Sequence, residues 1–258
     1  MCIIIAKNSG VNLPSKKVLK SCFNSNPDGA GIMYCQDNTV NIRKGFMSFK
    51  SFWQYHQDRK FDKDTSIVYH FRIATAGGIN PGNCHPFPIS NDDNLLKALA
   101  VKGEDIAIVH NGIIPIKTPD HLSDTQVFIK DILVGVRGEL IAKNQAVLKL
   151  IELSTSGSRF ALLYGNGEII VKGSGWIVGD DGLLYSNDSY LPRTVWYDYP
   201  LFDKTSFGKG VKEGLLYCDF CGGVLENWGN DYYCISCDKI LTSNDTWEIE
   251  KGKGDRYS

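Results

Sequence analysis

The chain has 258 residues, of which 43% are hydrophobic and 22% charged, and its formal net charge is -1. This composition excludes disordered and fibrous proteins and allows a sizeable buried core. The sequence has no apolar run of about 18 residues and no signal-peptide pattern at its start, so we expect a cytoplasmic protein without a membrane partner. It also has no basic stripe, so we expect no nucleic-acid partner.

Short β-branched runs separated by turn residues predict the strands of antiparallel sheets. In chain order the runs are residues 2–6, 30–35, 39–43, 66–72, 106–110, 159–164, 168–172 and 183–186. Helical periodicity is clearest over residues 124–135, with an apolar face made of Val127, Phe128, Ile132 and Leu133. A second helix is predicted over residues 138–153, and weaker patterns predict helices at 14–23 and 49–56. These elements together predict the α+β class.

The sequence divides into four segments of different composition. Residues 2–190 contain all the elements predicted above and should form one domain. Residues 191–214 are irregular but rich in aromatic side chains, which predicts a connecting strap packed on that domain. Residues 215–242 form a small cysteine-rich unit, and residues 243–258 are a polar tail that we expect to fray.

A cysteine stands at position 2, at the start of the first predicted strand. On its own, Cys2 is typical of a small buried hydrophobic residue. Removal of Met1, which is usual before a small residue, would give Cys2 a free α-amine beside its thiol. That amine would take the thiol proton as attack on a carbonyl begins, so Cys2 is a candidate nucleophile with its own general base.

Five further polar segments follow Cys2 in order. They read NPDGAG at 26–31, HFRIATAG at 70–77, NCHPF at 83–87, VHNG at 109–112 and SDTQV at 123–127. Together with an N-terminal cysteine, their order and spacing resemble the class II glutamine amidotransferases, the N-terminal-nucleophile (Ntn) glutaminase domains of asparagine synthetase and glucosamine-6-phosphate synthase. The first and third segments look most like stand-alone members of that family, which have no fused synthase. The resemblance covers about residues 2–190.

The resemblance implies a fold and a set of catalytic residues. The fold is the four-layer αββα sandwich of Ntn hydrolases. Cys2 would attack the side-chain amide of glutamine, form a thioester as ammonia leaves, and release glutamate to water. The side-chain amide of Asn111 and the backbone N–H of Gly112 would hold the tetrahedral oxyanion, at roughly 3 kcal/mol per donor.

The resemblance also implies how the amino-acid end of the substrate is bound. Arg72 would pair with the α-carboxylate, because a guanidinium matches a carboxylate with two parallel hydrogen bonds. Asp124 would take the α-ammonium, and Thr75 belongs to the turn that brings backbone close to the ligand. Ala76 departs from the family, since many relatives have histidine there. His85 and His110 are interpreted as structural neighbours of the pocket.

Each of these residues also has a structural interpretation. Arg72 at a strand end suits a surface ion pair, Asp124 suits a helix N-terminus after Ser123, and Asn111-Gly112 is a common turn dipeptide. Their combination with an N-terminal cysteine favours the catalytic interpretation. The implied function is a glutaminase that supplies ammonia to a separate ATP-dependent synthetase or transferase. Two alternatives stay open: a free-standing amidase for γ-glutamyl or other small amides, and a catalytically silent adaptor or sensor.

Four cysteines near the C-terminus have the spacing of a zinc ribbon. Two C-x-x-C pairs are separated by twelve residues and consist of Cys218, Cys221, Cys234 and Cys237. Four thiolates close the coordination sphere, so the pattern predicts structural Zn²⁺ and no organic cofactor. Residues 213–258 carry nine acidic and four basic side chains, a net charge of -5, which favours docking to a protein over nucleic acid.

Overall fold

The computed structural model of the protein describes residues 2–74 and 77–191, together with three strands between residues 225 and 241. The chain divides into two units, Met1–Arg193 and Thr194–Ser258. Every pairing between described strands is antiparallel. Helices accompany these sheets, so the α+β class predicted from the sequence is confirmed.

The first unit contains eleven described strands in two sheets. In chain order they are β1 Ile3–Lys7, β2 Ala30–Gln36, β3 Thr39–Phe46, β4 Ile67–Phe71, β5 Phe87–Pro88, β6 Ala100–Glu104, β7 Ile106–Asn111, β8 Arg159–Tyr164, β9 Ile169–Lys172, β10 Ile177–Val178 and β11 Leu184–Tyr185. The larger sheet has the order β10-β11-β1-β4-β2-β3-β6, and the smaller has the order β5-β7-β8-β9. The N-terminal strand β1 is therefore an interior strand, paired with β4 on one side and β11 on the other.

The α-helices of the first unit are α1 Lys16–Ser25, α2 Phe49–Arg59, α3 Asp93–Lys97, α4 Asp124–Phe128, α5 Arg137–Ile141 and α6 Gln145–Ser154. All of them except α5 begin with a short polar side chain that accepts a hydrogen bond from a backbone N–H. Ser15 caps α1 and Ser48 caps α2 in this way. None of the helices in residues 2–74 and 77–191 combines the length and apolarity needed to cross a membrane.

Three apolar clusters show how the layers stack. The first joins α1 and α2 to one face of the seven-stranded sheet, with Leu19, Phe23 and Phe52 buried against it. The second lies between the two sheets and includes Ile4, Val68, Val109 and Leu163. The third joins the far face of the four-stranded sheet to the helical segment from α4 to α6, through side chains such as Phe128, Leu140, Leu148 and Phe160. Helices thus flank two stacked sheets, and burial of their apolar faces stabilises the unit.

Two helix predictions were wrong in detail. The helix predicted over residues 138–153 is broken into α5 and α6, because Lys143 has a left-handed φ of 56° and the side chain of Asn144 caps α6. After α4 the chain widens into a π-helical turn, Ile129–Leu133. That turn buries Ile129 and leaves Ile132 45% exposed, although Ile132 was predicted to face the core.

The second unit contains a three-stranded antiparallel sheet, β12 Leu225–Trp228, β13 Asp231–Cys234 and β14 Lys239–Leu241. In its register Leu225 pairs with Cys234, and Cys234 pairs with Lys239. Cys234 is thus the last residue of β13. The other three cysteines of the predicted zinc site, with the predicted strap and tail, lie outside the described residues.

Candidate active site

One cavity collects residues from distant parts of the first unit. It is lined by Cys2, Arg72, Ile73, His85, His110, Gly112, Ser123, Asp124 and Thr125. They come from the start of β1, the ends of β4 and β7, the segment before β5, and the start of α4. Four residues that the sequence predicts to act together, namely Cys2, Arg72, Gly112 and Asp124, therefore line the same cavity.

The thiol of Cys2 lies against the backbone that follows β4. The Ile73 N–H donates a hydrogen bond to Sγ at 3.3 Å, and the Ile73 carbonyl oxygen is also 3.3 Å from Sγ. Burial raises the pKa of the Cys2 thiol, while the Ile73 N–H and the positive charge of Arg72 oppose the increase. The thiol is therefore protonated at neutral pH, and a nucleophilic role requires a base close to Sγ.

The backbone around Arg72 is fixed by the loop that precedes β2. The Arg72 N–H donates to the Gly29 carbonyl at 2.8 Å, and the Arg72 carbonyl accepts from Asp28 N–H at 3.0 Å. The Asp28 carboxylate in turn accepts from the Ala74 N–H at 2.9 Å. Asp28 therefore stabilises the wall of the cavity through hydrogen bonds to the backbone of Arg72 and Ala74. Arg72 is buried, with 3% of its surface exposed.

The carboxylate of Asp124 is held in place by three protein donors. Oδ2 accepts from the Ile114 N–H at 2.8 Å, and Oδ1 accepts from the Thr125 N–H at 2.7 Å and its hydroxyl at 3.3 Å. Ser123 caps α4, and Gln126 completes a capping box with it. A carboxylate offers about four acceptor positions, so Asp124 has capacity for one more donor from the cavity.

Two buried histidines line the cavity and share the hydroxyl of Thr125. His110 Nδ1 lies 2.9 Å and His85 Nε2 lies 3.2 Å from Thr125 Oγ1. Because that hydroxyl donates to Asp124, both rings donate to it, which fixes their tautomers. The second nitrogen of His110 then accepts from the Ser158 hydroxyl at 2.9 Å. Burial lowers the pKa of His110 to about 4 and that of His85 well below its ordinary value, so both rings are neutral at pH 7.

Asn111 lies beside the cavity without lining it. Its side chain is buried, and Nδ2 donates to the hydroxyl oxygen of Ser186 at 2.9 Å. The structure thus places Gly112 in the lining of the cavity and Asn111 outside it. The Oδ1 atom of Asn111 is buried without a hydrogen-bond partner among the described residues.

The remaining predicted residues fall outside what is described. Thr75 and Ala76 belong to the gap after residue 74. The side chains of Cys218, Cys221, Cys234 and Cys237 are likewise outside the described residues. Within residues 2–74 and 77–191, no cluster of three or more histidine, cysteine or acidic side chains could hold a metal ion.

Several cavity residues were not predicted from the sequence. Ile73, Ser123 and Thr125 are chain neighbours of predicted residues, so adjacency to Arg72 and Asp124 was the available signal. No protein-family model matches this chain, and no curated protein matches it significantly.

Proposed function

We propose that this protein is an N-terminal cysteine amidohydrolase of the class II glutamine amidotransferase type. The observation that carries the proposal is that Cys2, Arg72, Gly112 and Asp124 line a single cavity. These residues are a nucleophile, a carboxylate clamp, an oxyanion donor and an ammonium clamp in the family that the sequence resembles.

The proposed reaction begins once Met1 is removed and Cys2 carries a free α-amine. The amine takes the proton of the Cys2 thiol, and Sγ attacks the side-chain carbonyl carbon of glutamine. The tetrahedral intermediate collapses when the amine returns the proton to the departing nitrogen, which releases ammonia and leaves a thioester. Water, activated by the same amine, then attacks the thioester to give glutamate and the free thiol. The raised pKa of Cys2 supports this scheme, since a protonated thiol needs a neighbouring base.

The proposed substrate is an α-amino acid because the cavity walls carry opposite charges. The guanidinium of Arg72 suits an α-carboxylate, and the carboxylate of Asp124 suits an α-ammonium. The neutral histidines, His85 and His110, add no competing positive charge at pH 7. Free L-glutamine satisfies both clamps, whereas a glutaminyl residue within a peptide has neither charged group.

We also propose that the first unit belongs to the Ntn hydrolase fold. Two stacked antiparallel sheets between helical layers support this assignment. The position of Cys2 immediately before the interior strand β1 supports it further. The described cysteines, Cys2, Cys22, Cys35 and Cys84, are all free, which suits the reducing environment expected of the cytoplasm.

For the second unit we propose a structural zinc ribbon that docks a partner. The two C-x-x-C pairs supply the ligands, and the strands β12 to β14 give the short antiparallel sheet that such a unit requires. Ammonia released by a glutaminase is lost to solvent unless an enzyme that uses it is docked nearby. The proposed partner is therefore a separate ATP-dependent synthetase or transferase, which the acidic ribbon would bind.

Turnover and intact mass together test the proposed function. Purified full chain should release equal amounts of ammonia and glutamate from L-glutamine. It should lack the mass of Met1 and gain one adduct from the electrophile 6-diazo-5-oxo-norleucine. Cys2→Ala should abolish both the release of ammonia and glutamate and the formation of the adduct. Cys35→Ser is the matched control, because Cys35 lies near Ser66 at the other end of the sheet and bonds the Gly165 carbonyl.

Two outcomes would replace this proposal. Hydrolysis of γ-glutamyl amides without hydrolysis of glutamine would indicate the free-standing amidase. Retention of Met1, together with binding of glutamine and no product, would indicate a silent sensor, because a blocked amine cannot serve as the base.

A further inference from the structure

Ser186 connects the nucleophile strand to the candidate oxyanion residue. It follows β11 directly and is fully buried. Its hydroxyl oxygen accepts a hydrogen bond from the Ile4 N–H at 2.8 Å, and its own N–H donates to the Ile4 carbonyl at 3.0 Å. The same hydroxyl oxygen lies 2.9 Å from Nδ2 of Asn111. Ser186 therefore contacts Ile4, which lies two residues after Cys2, and Asn111, which precedes Gly112.

The hydrogen-bonding capacity of Ser186 is compatible with two orientations of the Asn111 amide. A serine hydroxyl has one proton to donate, and the Ile4 N–H can only donate, so Ile4 uses an acceptor position of Ser186. The second acceptor position of Ser186 can take an N–H of Asn111, as in the structure, or the hydroxyl proton of Ser186 can be donated to Asn111. A half-turn of the Asn111 amide exchanges two atoms of equal size, so that Oδ1 accepts this proton and Nδ2 takes the unpaired place.

We propose that Ser186 is a positioning residue that holds the Asn111 amide with its oxygen toward Ser186 and its N–H groups toward the oxyanion. The inference rests on the proposed amidohydrolase function. The buried Oδ1 of Asn111, which has no hydrogen-bond partner as the amide stands, carries it. After the half-turn this unpaired place belongs to the N–H groups, and a buried donor without a partner is costly in a resting protein and useful where negative charge develops during reaction. With Gly112 on the cavity surface next in the chain, the two donors would converge on one oxygen.

The proposal predicts how Ser186→Ala changes the kinetics. Without the hydroxyl the Asn111 amide has no acceptor contact that selects its orientation, so the donor is present for only part of the time. We expect kcat for glutamine to fall about tenfold, with KM changed less than about twofold, because the oxyanion forms only after binding. Asn111→Ala should cost on the order of a hundredfold in kcat, as for loss of one oxyanion donor.

A double-mutant cycle separates positioning from a general structural effect. If Ser186 acts through Asn111, adding Ser186→Ala to Asn111→Ala should lower kcat no further. A tenfold loss in both backgrounds would overturn the proposal. The matched control is Ser66→Ala, since Ser66 is also a buried serine at a strand end but lies before β4, at the opposite end from Arg72. This control should leave kcat unchanged.

A second readout uses the aldehyde of glutamic acid at its γ-carbon, which forms a hemithioacetal with a thiol. Ser186→Ala should lower the affinity for the aldehyde by the same factor by which it lowers kcat. The affinity for glutamate should stay unchanged. An equal loss of affinity for the aldehyde and for glutamate would overturn the proposal. If Ser186→Ala does not fold, Ser186→Cys can replace it, because a thiol has a similar volume and is a weaker hydrogen-bond donor. Ser186→Cys should also lower kcat. A kcat equal to that of the wild type would contradict the proposal.

Failure of the two proposals can be told apart. A wild-type chain that neither hydrolyses amides nor reacts at Cys2 refutes the amidohydrolase function itself. An active wild-type chain whose kcat is insensitive to Ser186→Ala refutes only the positioning role.

Discussion

The guanidinium of Arg72 donates a hydrogen bond from Nη1 to the carbonyl oxygen of Gly78, 2.9 Å away. The preceding carbonyl, that of Gly77, accepts from the side chains of Asn80 and Asn83. Gly77 and Gly78 both have left-handed backbone conformations, with φ of 71° and 68°. The side chain that would bind the substrate carboxylate is thus oriented by the loop that follows its own strand.

Replacing Arg72 with lysine should therefore impair substrate binding more than chemistry. A lysine ammonium cannot keep the Gly78 contact and present two parallel N–H groups to a carboxylate. We expect KM for glutamine to rise about tenfold to a hundredfold, with a smaller change in kcat, in steady-state assays of ammonia release. The penalty should disappear for 4-aminobutanamide, which has no α-carboxylate. An equal penalty for both substrates would contradict the assigned role.

Gly112→Ala should inactivate the protein and destabilise it. A Cβ at residue 112 would lie 2.5 Å from Ser158 Oγ and 2.9 Å from Ser158 Cα, and the φ of Gly112 is 151°. Gly103→Ala is the matched control, because Gly103 has a φ of 82° but no heavy atom within 4 Å of a Cβ. We expect the control to cost about 1 kcal/mol in urea denaturation and Gly112→Ala to cost more. Equal losses would argue against close packing at Gly112.

The buried histidines should make the free energy of unfolding depend on pH. The pKa of His110 falls from 6.5 to about 4 on folding, and that of His70 falls to about 3, chiefly because burial disfavours the charged ring. Between pH 6.5 and 4 the unfolded chain binds protons that the folded chain does not, so stability is present above pH 6.5 and decreases as the pH falls. Each group contributes up to about 1.4 kcal/mol per pH unit.

Urea denaturation at pH 7, 6 and 5 measures this dependence. His110→Gln should reduce the slope of stability against pH in that range. His121→Gln is the control, since His121 is exposed and should leave the slope unchanged. A slope unaffected by His110→Gln would show that His110 is not buried as a neutral ring.

Removal of the predicted metal should affect the second unit alone. We expect about one zinc per chain by inductively coupled plasma mass spectrometry of the full-length protein. Cys218→Ser should abolish zinc retention after dialysis against a chelator, and glutaminase kcat should change less than about twofold, because the lining described for the cavity comes from residues of the first unit, Cys2 to Thr125. A wild-type chain without zinc would refute the ribbon.

The strands that could be predicted from the sequence are rich in β-branched and other apolar residues. Ile3–Lys7 and Arg159–Tyr164 read as continuous apolar runs, and both were predicted to within a residue or two. Ala100–Glu104 was missed because it is an edge strand with exposed Lys102 and Gly103 and no clear alternation. The helix break at Lys143 was missed because its left-handed φ has no strong signal in a lysine.

The cavity was predictable where segments of the sequence resemble a known family. Cys2, Arg72, Gly112 and Asp124 were predicted because the order and spacing of their segments resemble those of the class II glutamine amidotransferases, and because their residue types suit amide hydrolysis. Ser186 was not predictable, because its bond to Ile4 joins residues that become neighbours only when β1 pairs with β11. Local pattern does not encode such long-range contacts.

The interior position of β1 also sets an order of events during synthesis. Its partner β11 ends at Tyr185, so one edge of the strand β1 stays unpaired until Tyr185 has left the ribosome. If Met1 is removed, as the proposed function requires, an aminopeptidase can therefore reach it before the sheet closes around its first strand.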